Sequence, residues 1–324
     1  MSTPAIIGVI TGLDLIGDAL IKLPFLRALR TAYPDAKIHW ITSLGATTFA
    51  SSLREATKNL IDEIHQQPGW MVGTASGAPF FDILIDTRGK WRETLKARKL
   101  PHKLFLSRAT RYLFSDRRPS IFKKRPEHLC DRLLEFVELA AGYKPSTHGS
   151  LLIPEDLKQK AREILPDGPT YIGLAPGCST PHRMWPLERF IELAKLQGTK
   201  GRVPVFILGP MEQDWFTTIK AAVPEAKFPL QDLAAWGQEN LTLNHTLALG
   251  PRLALAVTND SGPGHMMAAV DCPVVSLFGP TTPLKAAPRV SKGCSVRAQS
   301  FGSAQMDAIP VQAVEMAVEQ VLKR

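Results

Sequence analysis

Three short stretches of this chain combine carboxylates, hydroxyls, a cation and glycines at turn-like spacing. The first is Gly12-Leu13-Asp14-Leu15-Ile16-Gly17-Asp18-Ala19-Leu20. It follows an apolar run and precedes leucines at helical spacing, so it reads as a strand-to-helix turn with a carboxylate beside a glycine that admits a substrate. Asp18 is suited to general-base work. Aspartate also caps helices well, and spacing alone favours the cap. The second stretch is Ala175-Pro176-Gly177-Cys178-Ser179-Thr180-Pro181-His182-Arg183-Met184-Trp185-Pro186. Ser179 and Thr180 can donate hydrogen bonds and Arg183 supplies charge, which suits an anion cradle. The plainer alternative is an ordinary turn with Pro186 opening a helix. The third stretch is Thr258-Asn259-Asp260-Ser261-Gly262-Pro263-Gly264-His265-Met266, followed by Pro273-Val274-Val275-Ser276-Leu277-Phe278-Gly279-Pro280-Thr281. A strand end delivers Asp260 and Ser261, and a helix begins at the glycines. Its amides and dipole suit a diphosphate. Asp260, being negative, is expected to order the loop or meet sugar hydroxyls. His265 is expected to donate to a leaving-group oxygen or to fix the turn.

The elements around these stretches alternate. Residues 6–10, 37–42 and 81–86 read as strands, with helical periodicity over 18–33 and 130–141. Pro24 marks a kink or a late start in the first helix. Turn-rich sequence at 144–154 and 166–169 marks a boundary, after which alternation resumes with strands at 171–175, 203–209, 253–258 and 273–278. Two successive βαβ halves imply two parallel-sheet α/β domains facing across a cleft, with ligands at the strand C-termini. The expected division is 1–155 and 168–305, with a closing helix within 306–324 packing back on the first domain. No G-x-G-x-x-G follows the first strand, so the dinucleotide fingerprint is absent.

The chain has 324 residues, enough for roughly two domains, and a net charge of +9. Its 44% hydrophobic and 21% charged fractions exclude a disordered chain. Cys130, Cys178, Cys272 and Cys294 form no C-x-x-C pair, which argues against a zinc ribbon or disulfide scaffold and for a cytoplasmic setting. His39, His65, His102, His128, His148 and His245 show no metal-ligand spacing, and no metal site is expected. No bilayer-spanning run or secretory signal is evident, so the protein is expected to be soluble or attached to a membrane surface. Charge is concentrated: residues 88–132 hold fifteen Lys/Arg against four acids, a balance of +11, leaving −2 for the rest. Arg88, Lys90 and Arg92 open this cluster, and Phe105, Tyr112, Phe114 and Phe122 interleave it. Such a segment attracts nucleic acid, an anionic membrane or a phosphorylated substrate, or is simply a solvated face. No nucleic-acid reader motif is present, so no nucleic-acid partner is expected.

The order of these motifs resembles glycosyltransferase family 9, the ADP-heptose:lipopolysaccharide heptosyltransferases. Gly17-Asp18-Ala19-Leu20, Pro24-Phe25-Leu26-Arg27-Ala28-Leu29 and Tyr33-Pro34-Asp35-Ala36-Lys37-Ile38 resemble the family's G-D-hydrophobic-L, P-x-L-R-x-L and Y/F-P-x-A-x-I elements. Phe81-Asp82 through Asp86-Thr87-Arg88-Gly89 resembles Y-D-x-x-I-D-x-Q-G, with Arg88 in place of Gln. Pro176-Gly177 to Pro186, Asn259 to His265 and Phe278-Gly279-Pro280-Thr281 resemble its C-terminal signatures. Gly12-Leu13-Asp14 replaces a usual cation, leaving Asp14 a rival carboxylate, and Gly264 stands where Met is common. These departures point to a different acceptor or sugar.

The resemblance implies a GT-B fold of two Rossmann-like domains and an inverting transfer of heptose from an ADP-sugar to a lipopolysaccharide-core or other glycan acceptor. It makes Asp18 the base, overturning the capping preference. It places Ser179, Thr180, Arg183, Asp260, Ser261, Gly262 and His265 at the donor, with Glu212 on the ribose unless it is a first-turn helix acid. Gly17, Arg88, Lys90 and Arg92 are expected at the acceptor. No D-x-D sequence is present, so no cofactor is required, although bound Mg²⁺ is compatible. The basic segment would grip an anionic glycolipid at the cytoplasmic face of the inner membrane. The rivals are a GT-B transferase or epimerase using another nucleotide sugar, and a non-catalytic nucleotide-sugar-binding protein.

Overall fold

The computed structural model describes residues 4–71, 76–147 and 151–323, in two compact units, Met1–Leu152 and Ile153–Arg324. His148 lies outside the described residues. Among the described residues no helix is long and apolar enough to cross a membrane.

The first unit opens with strand β1 (Ile6–Thr11), helices α1 (Ile16–Leu20) and α2 (Leu23–Ala32), and strand β2 (Lys37–Thr42). Strand β3 (Glu63–Gln66), strand β4 (Phe81–Asp86), helix α3 (Trp91–Ala97), strand β5 (His102–Ser107) and helix α4 (Leu129–Ala141) follow. The sheet is wholly parallel in the order β3-β2-β1-β4-β5. Its central strands are buried along nearly their whole length, as in parallel sheets covered on both faces. Pro24 marks a fresh start: it is the second residue of α2, where its missing N–H costs no hydrogen bond.

The segment between β1 and α1 is held by one buried carboxylate. Asp14, 2% exposed, pairs with Lys22, and its Oδ2 accepts from Trp40 Nε1 at 2.8 Å and from Thr47 Oγ1 at 3.2 Å. Lys22 Nζ also donates to Thr11 Oγ1 at 2.7 Å. Strand end, loop and second helix are thus tied to one ion pair.

The second unit contains α5 (Glu155–Ile164), β6 (Tyr171–Ala175), α6 (Leu187–Thr199), β7 (Val203–Phe206), α7 (Trp215–Ala222), α8 (Leu233–Trp236) and α9 (Leu243–Leu249). It continues through β8 (Leu255–Asn259), α10 (Gly262–Ala269), β9 (Val274–Phe278), α11 (Pro283–Ala286), β10 (Gly293–Arg297) and α12 (Val311–Leu322). Its sheet is also parallel, in the order β10-β9-β8-β6-β7. The proline at 204 is tolerated because β7 is the edge strand. Trp185 and Trp236 are core residues, with indole N–H groups bonded to the carbonyls of Ile309 and Pro229.

The closing helix is anchored in the second unit. Its apolar stripe, Val311, Val314, Val318 and Val321, is buried in the core of the second unit. Arg202 adds two bonds to Glu319, of 2.6 and 3.0 Å, and Lys200 a third of 2.9 Å. The Arg202 hydrogen bond and then that of Lys200 hold the Glu319 carboxyl down to about 2.

Two outcomes follow from these ties. Lys22→Ala strands the Asp14 charge, and urea unfolding should show a loss of about 3–5 kcal/mol; a loss under about 1 kcal/mol would refute the pair's role. Glu319 has a folded pKa below its unfolded one, so its contribution is present above about pH 4.5 and fades toward pH 2. Glu319→Gln should therefore lower the melting temperature at pH 7 and narrow its gap to wild type as pH falls through that window.

Candidate active site

The second unit gathers its chemistry at one edge because every strand of its sheet points the same way. The chain leaves β6 at Ala175, β8 at Asn259 and β9 at Phe278, paired in register as Ala175 with Thr258 and Asn259 with Leu277. Asn259, 1% exposed, clamps two of these exits together. Its Nδ2 donates to the Pro176 carbonyl at 2.7 Å, and its Oδ1 accepts the Trp185 amide at 3.0 Å. Ser261 Oγ donates to the Gly177 carbonyl at 3.0 Å.

Within this frame Arg183 is held half-buried by Asp260 Oδ2 and by Thr180 Oγ1, each at 3.4 Å. Its Nε is buried and makes no hydrogen bond. Asp260 Oδ2 also accepts from Thr281 Oγ1 at 2.7 Å. Asp260 therefore orders the loops, as one sequence reading expected, and aims a guanidinium. Ser261 is the N-cap residue of α10 but makes no side-chain cap bond. The first amides of that helix have no intrahelical partner, and the dipole there favours an anion. Ser179 is exposed, Thr180, Gly262 and His265 half-buried. Side-chain hydroxyls, one cation and a helix start thus share one sheet edge, an arrangement able to bind a diphosphate.

Glu212 is a capping acid: its Oε2 accepts the Gly209 amide at 2.8 Å. A Cβ at Gly177 would stand 2.6 Å from that carboxyl, so a side chain there would push the Glu212 carboxyl out of its capping position. At Gly264 a Cβ would lie 2.8 Å from Thr258 Oγ1 and 3.2 Å from Pro288, so the larger residue common in related motifs is excluded here by packing. Burial pushes the Cys272 thiol up to about 12 and raises Cys178 as well, leaving both protonated.

In the first unit Asp18 is the third residue of α1, whose N-cap is Leu15. Asp18 is not the cap; it is exposed, beside half-buried Gly17, and has no side-chain partner among the described residues. Asp14, the rival carboxylate, is fully occupied as described above. Arg88 departs from its expected acceptor role. It is 7% exposed at the side chain and spends its donors on Asp86 at 2.8 Å and Glu93 at 2.9 Å. Lys90 and Arg92 are exposed, and Arg92 lies over the Trp91 ring at 5.2 Å.

Sequence spacing did not reveal Thr281 as the partner of Asp260, nor the meeting of His39, Glu63 and His65, whose donor atoms lie within 4.8 Å of one another. Both depend on strand register, which a single sequence does not display.

Two units, each built on a parallel five-stranded sheet, give the α/β architecture of the GT-B fold. The profile of glycosyltransferase family 9 (heptosyltransferase) matches residues 75–310, and the chain belongs to that family. It is similar to lipopolysaccharide heptosyltransferase 3 of Escherichia coli, 25% identical over 297 residues, 82% of this chain and 80% of the relative. Lipooligosaccharide heptosyltransferase 2 of Campylobacter jejuni is 29% identical over 262 residues, 75% of this chain and 80% of the relative. Among solved structures, a family 9 glycosyltransferase from Veillonella parvula has a TM-score of 0.74 at 22% identity, covering 98% of this chain and 97% of that one. An Escherichia coli heptosyltransferase with ADP-2-deoxy-2-fluoro heptose has a TM-score of 0.68 at 20% identity, covering 97% and 99%.

Asn259→Ala should leave the Trp185 amide and the Pro176 carbonyl unpaired, at about 1–3 kcal/mol for each group. Chemical unfolding should register that loss, and nucleotide affinity should fall with it; unchanged affinity would mean the clamp does not shape the site.

Proposed function

We propose that this glycosyltransferase moves heptose, with inversion, from ADP-heptose to the core region of a lipopolysaccharide acceptor. Asp18 is the general base. The observation carrying this reading is the contrast between two neighbouring carboxylates: Asp14 is buried and fully bonded, while Asp18 is exposed and has no side-chain partner among the described residues. The relatives' names and the ADP-sugar bound by the Escherichia coli neighbour support the donor and acceptor classes.

In a single displacement the acceptor hydroxyl oxygen bonds to the anomeric carbon as the bond from that carbon to the diphosphate oxygen breaks. The proton passes to Asp18 and the electron pair leaves with ADP. Charge growing on the diphosphate is met by Arg183, by Ser179 and Thr180, and by the α10 amides, which are in place before the reaction begins. Asp260 holds Arg183 in position, and Ser261, Gly262 and His265 line the same donor site. Glu212, as a capping acid, shapes the ribose side of the loop. Gly17 leaves room beside Asp18 for the acceptor, with Lys90 and Arg92 as cations for its phosphates. Mg²⁺ bound to the diphosphate is compatible with this arrangement and has no assigned step.

The basic segment supports acceptor delivery at an anionic membrane, the cytoplasmic leaflet of the inner membrane. Residues 110–112 all have left-handed φ of 51–65°, costly for side-chain-bearing residues. The buried Tyr112 hydroxyl bonded to Glu135 secures this turn. Just beyond it Leu113, Ile121 and Phe122 are 70%, 82% and 91% exposed, with Arg118, Lys123, Lys124 and Arg125 exposed alongside. Apolar tips ringed by cations are what an anionic lipid surface accepts: each cation contributes about 1 kcal/mol there, and each buried large apolar side chain about 1.5–3 kcal/mol.

Calorimetry should show ADP bound in preference to UDP and GDP; preference for UDP or GDP would move the function to another sugar. Asp18→Asn should lower kcat by about 100- to 10,000-fold while leaving donor binding near wild type. A kcat within a few-fold of wild type would remove Asp18 from the base role. Ile121→Ser with Phe122→Ser should release the protein from phosphatidylglycerol vesicles without changing kinetics on a lipid-free acceptor; unchanged vesicle binding would rule out the apolar tips.

A further inference from the structure

We infer that His39, Glu63 and His65 form a binding site for a divalent transition-metal ion of the zinc class at the β2–β3 edge of the first sheet. The register pairs His39 with Glu63 and Ile41 with His65. Side chains alternate along a strand, so His39, Glu63 and His65 share one face of the sheet. There His65 Nε2 lies 3.1 Å from His39 Nδ1 and 3.5 Å from Glu63 Oε2, and His39 Nε2 lies 3.7 Å from Glu63 Oε1. An ion takes one nitrogen of each imidazole, and with one ligand atom from each residue the three lie within 4.8 Å of one another, a small closure away from the spacing of about 3.4 Å around a tetrahedral ion with bonds of about 2.0–2.1 Å. Two imidazoles and a carboxylate are the donor set such ions take.

A second, independent feature points to a ligand. The His39 side chain is 4% exposed, and its Nε2 is buried without any hydrogen bond. A polar atom in that state costs free energy unless something fills its lone pair or takes its proton. Phe81, 6.0 Å from the His39 ring, and Trp70, 5.7 Å from the His65 ring, wall the cluster. Glu63 and His65 are 48% and 23% exposed at the side chain, which gives an ion a way in. A bound ion would tie the edge strand β3 to β2, a staple where the sheet is otherwise held by one ladder.

The other grouping of this kind, His128, Cys130 and Asp131, is a local turn whose His128 Nδ1 already accepts the Cys130 amide as the cap of α4. It serves as the internal control. Tag-free full-length protein is titrated calorimetrically with Zn²⁺ and by visible absorption with Co²⁺. The expected result is one equivalent bound, a rise in melting temperature with saturating Zn²⁺, and a Co²⁺ spectrum lacking a thiolate charge-transfer band. Loss of an outer-shell partner alone typically costs about 10–100-fold in affinity, so His65→Ala and Glu63→Gln should each weaken Zn²⁺ binding by more than about 100-fold, with metal-free melting curves close to wild type. Cys130→Ser should leave binding unchanged. The inference fails if the wild-type protein binds no Zn²⁺, if binding survives both His65→Ala and Glu63→Gln, or if it is lost in Cys130→Ser. In that case the two imidazoles simply share a hydrogen bond.

Discussion

The first unit turns on the burial of one carboxylate. Asp14 and Lys22 neutralise each other where water does not reach, and Trp40, Thr47 and Thr11 complete the hydrogen bonding that such a pair demands. That network fixes where the chain leaves β1, where α1 starts and where α2 begins. It leaves Asp18 exposed on a short helix, without a salt-bridge partner among the described residues. A base must be able to take up a proton, so a carboxylate locked to a lysine would be a poor one. The contrast between two acids four residues apart, one buried and bonded and one exposed, is therefore a consequence of that network.

The second unit solves the opposite problem, since there the charges must be held ready for an anion. Arg183 is positioned by Asp260 without being fully neutralised: the contact is 3.4 Å, against 2.7 Å for the Thr281 bond to the same carboxylate oxygen. Asn259 beneath them is uncharged and wholly buried, so it can join two loops without adding charge to the site. The same economy governs the glycines. A side chain at Gly177 would displace the Glu212 carboxyl, and one at Gly264 would press on Thr258 and Pro288.

Much of this was legible in the sequence. Strand-helix alternation, the division near residue 150 and the three motif loops are local signals, and the structure carries each. Pro24 and Pro204 are explicable once their positions are known, one in a helix's first turn and one on an edge strand. What could not be seen was pairing. Arg88 looked like a free cation because Asp86 and Glu93 were counted as neighbours in sequence and not as its partners in space. The stripe of valines in the closing helix says that a face is buried without saying against what, and its burial in the second unit's core needed the structure. The histidines were dismissed because 39 and 65 are distant along the chain, whereas parallel pairing sets them side by side.

The same distinction governs the positive charge. Fifteen basic residues in 88–132 do not form one surface. Arg88, Arg98 and Arg117 are spent inward, on Asp86 and Glu93, on Asp116 and the Phe114 carbonyl, and on the carbonyls at the end of α4. These bonds stiffen the segment. Lys123 is likewise paired, with Glu138 at 2.9 Å, and the outward cations Arg118, Lys124 and Arg125 then flank Ile121 and Phe122, on a segment that also carries a left-handed turn secured through Tyr112 and Glu135. Exposed phenylalanine and isoleucine lower a protein's solubility, and a strained turn lowers its stability. Both costs coincide with the cations that would favour an anionic surface, and a segment serving only as a solvated face would need neither.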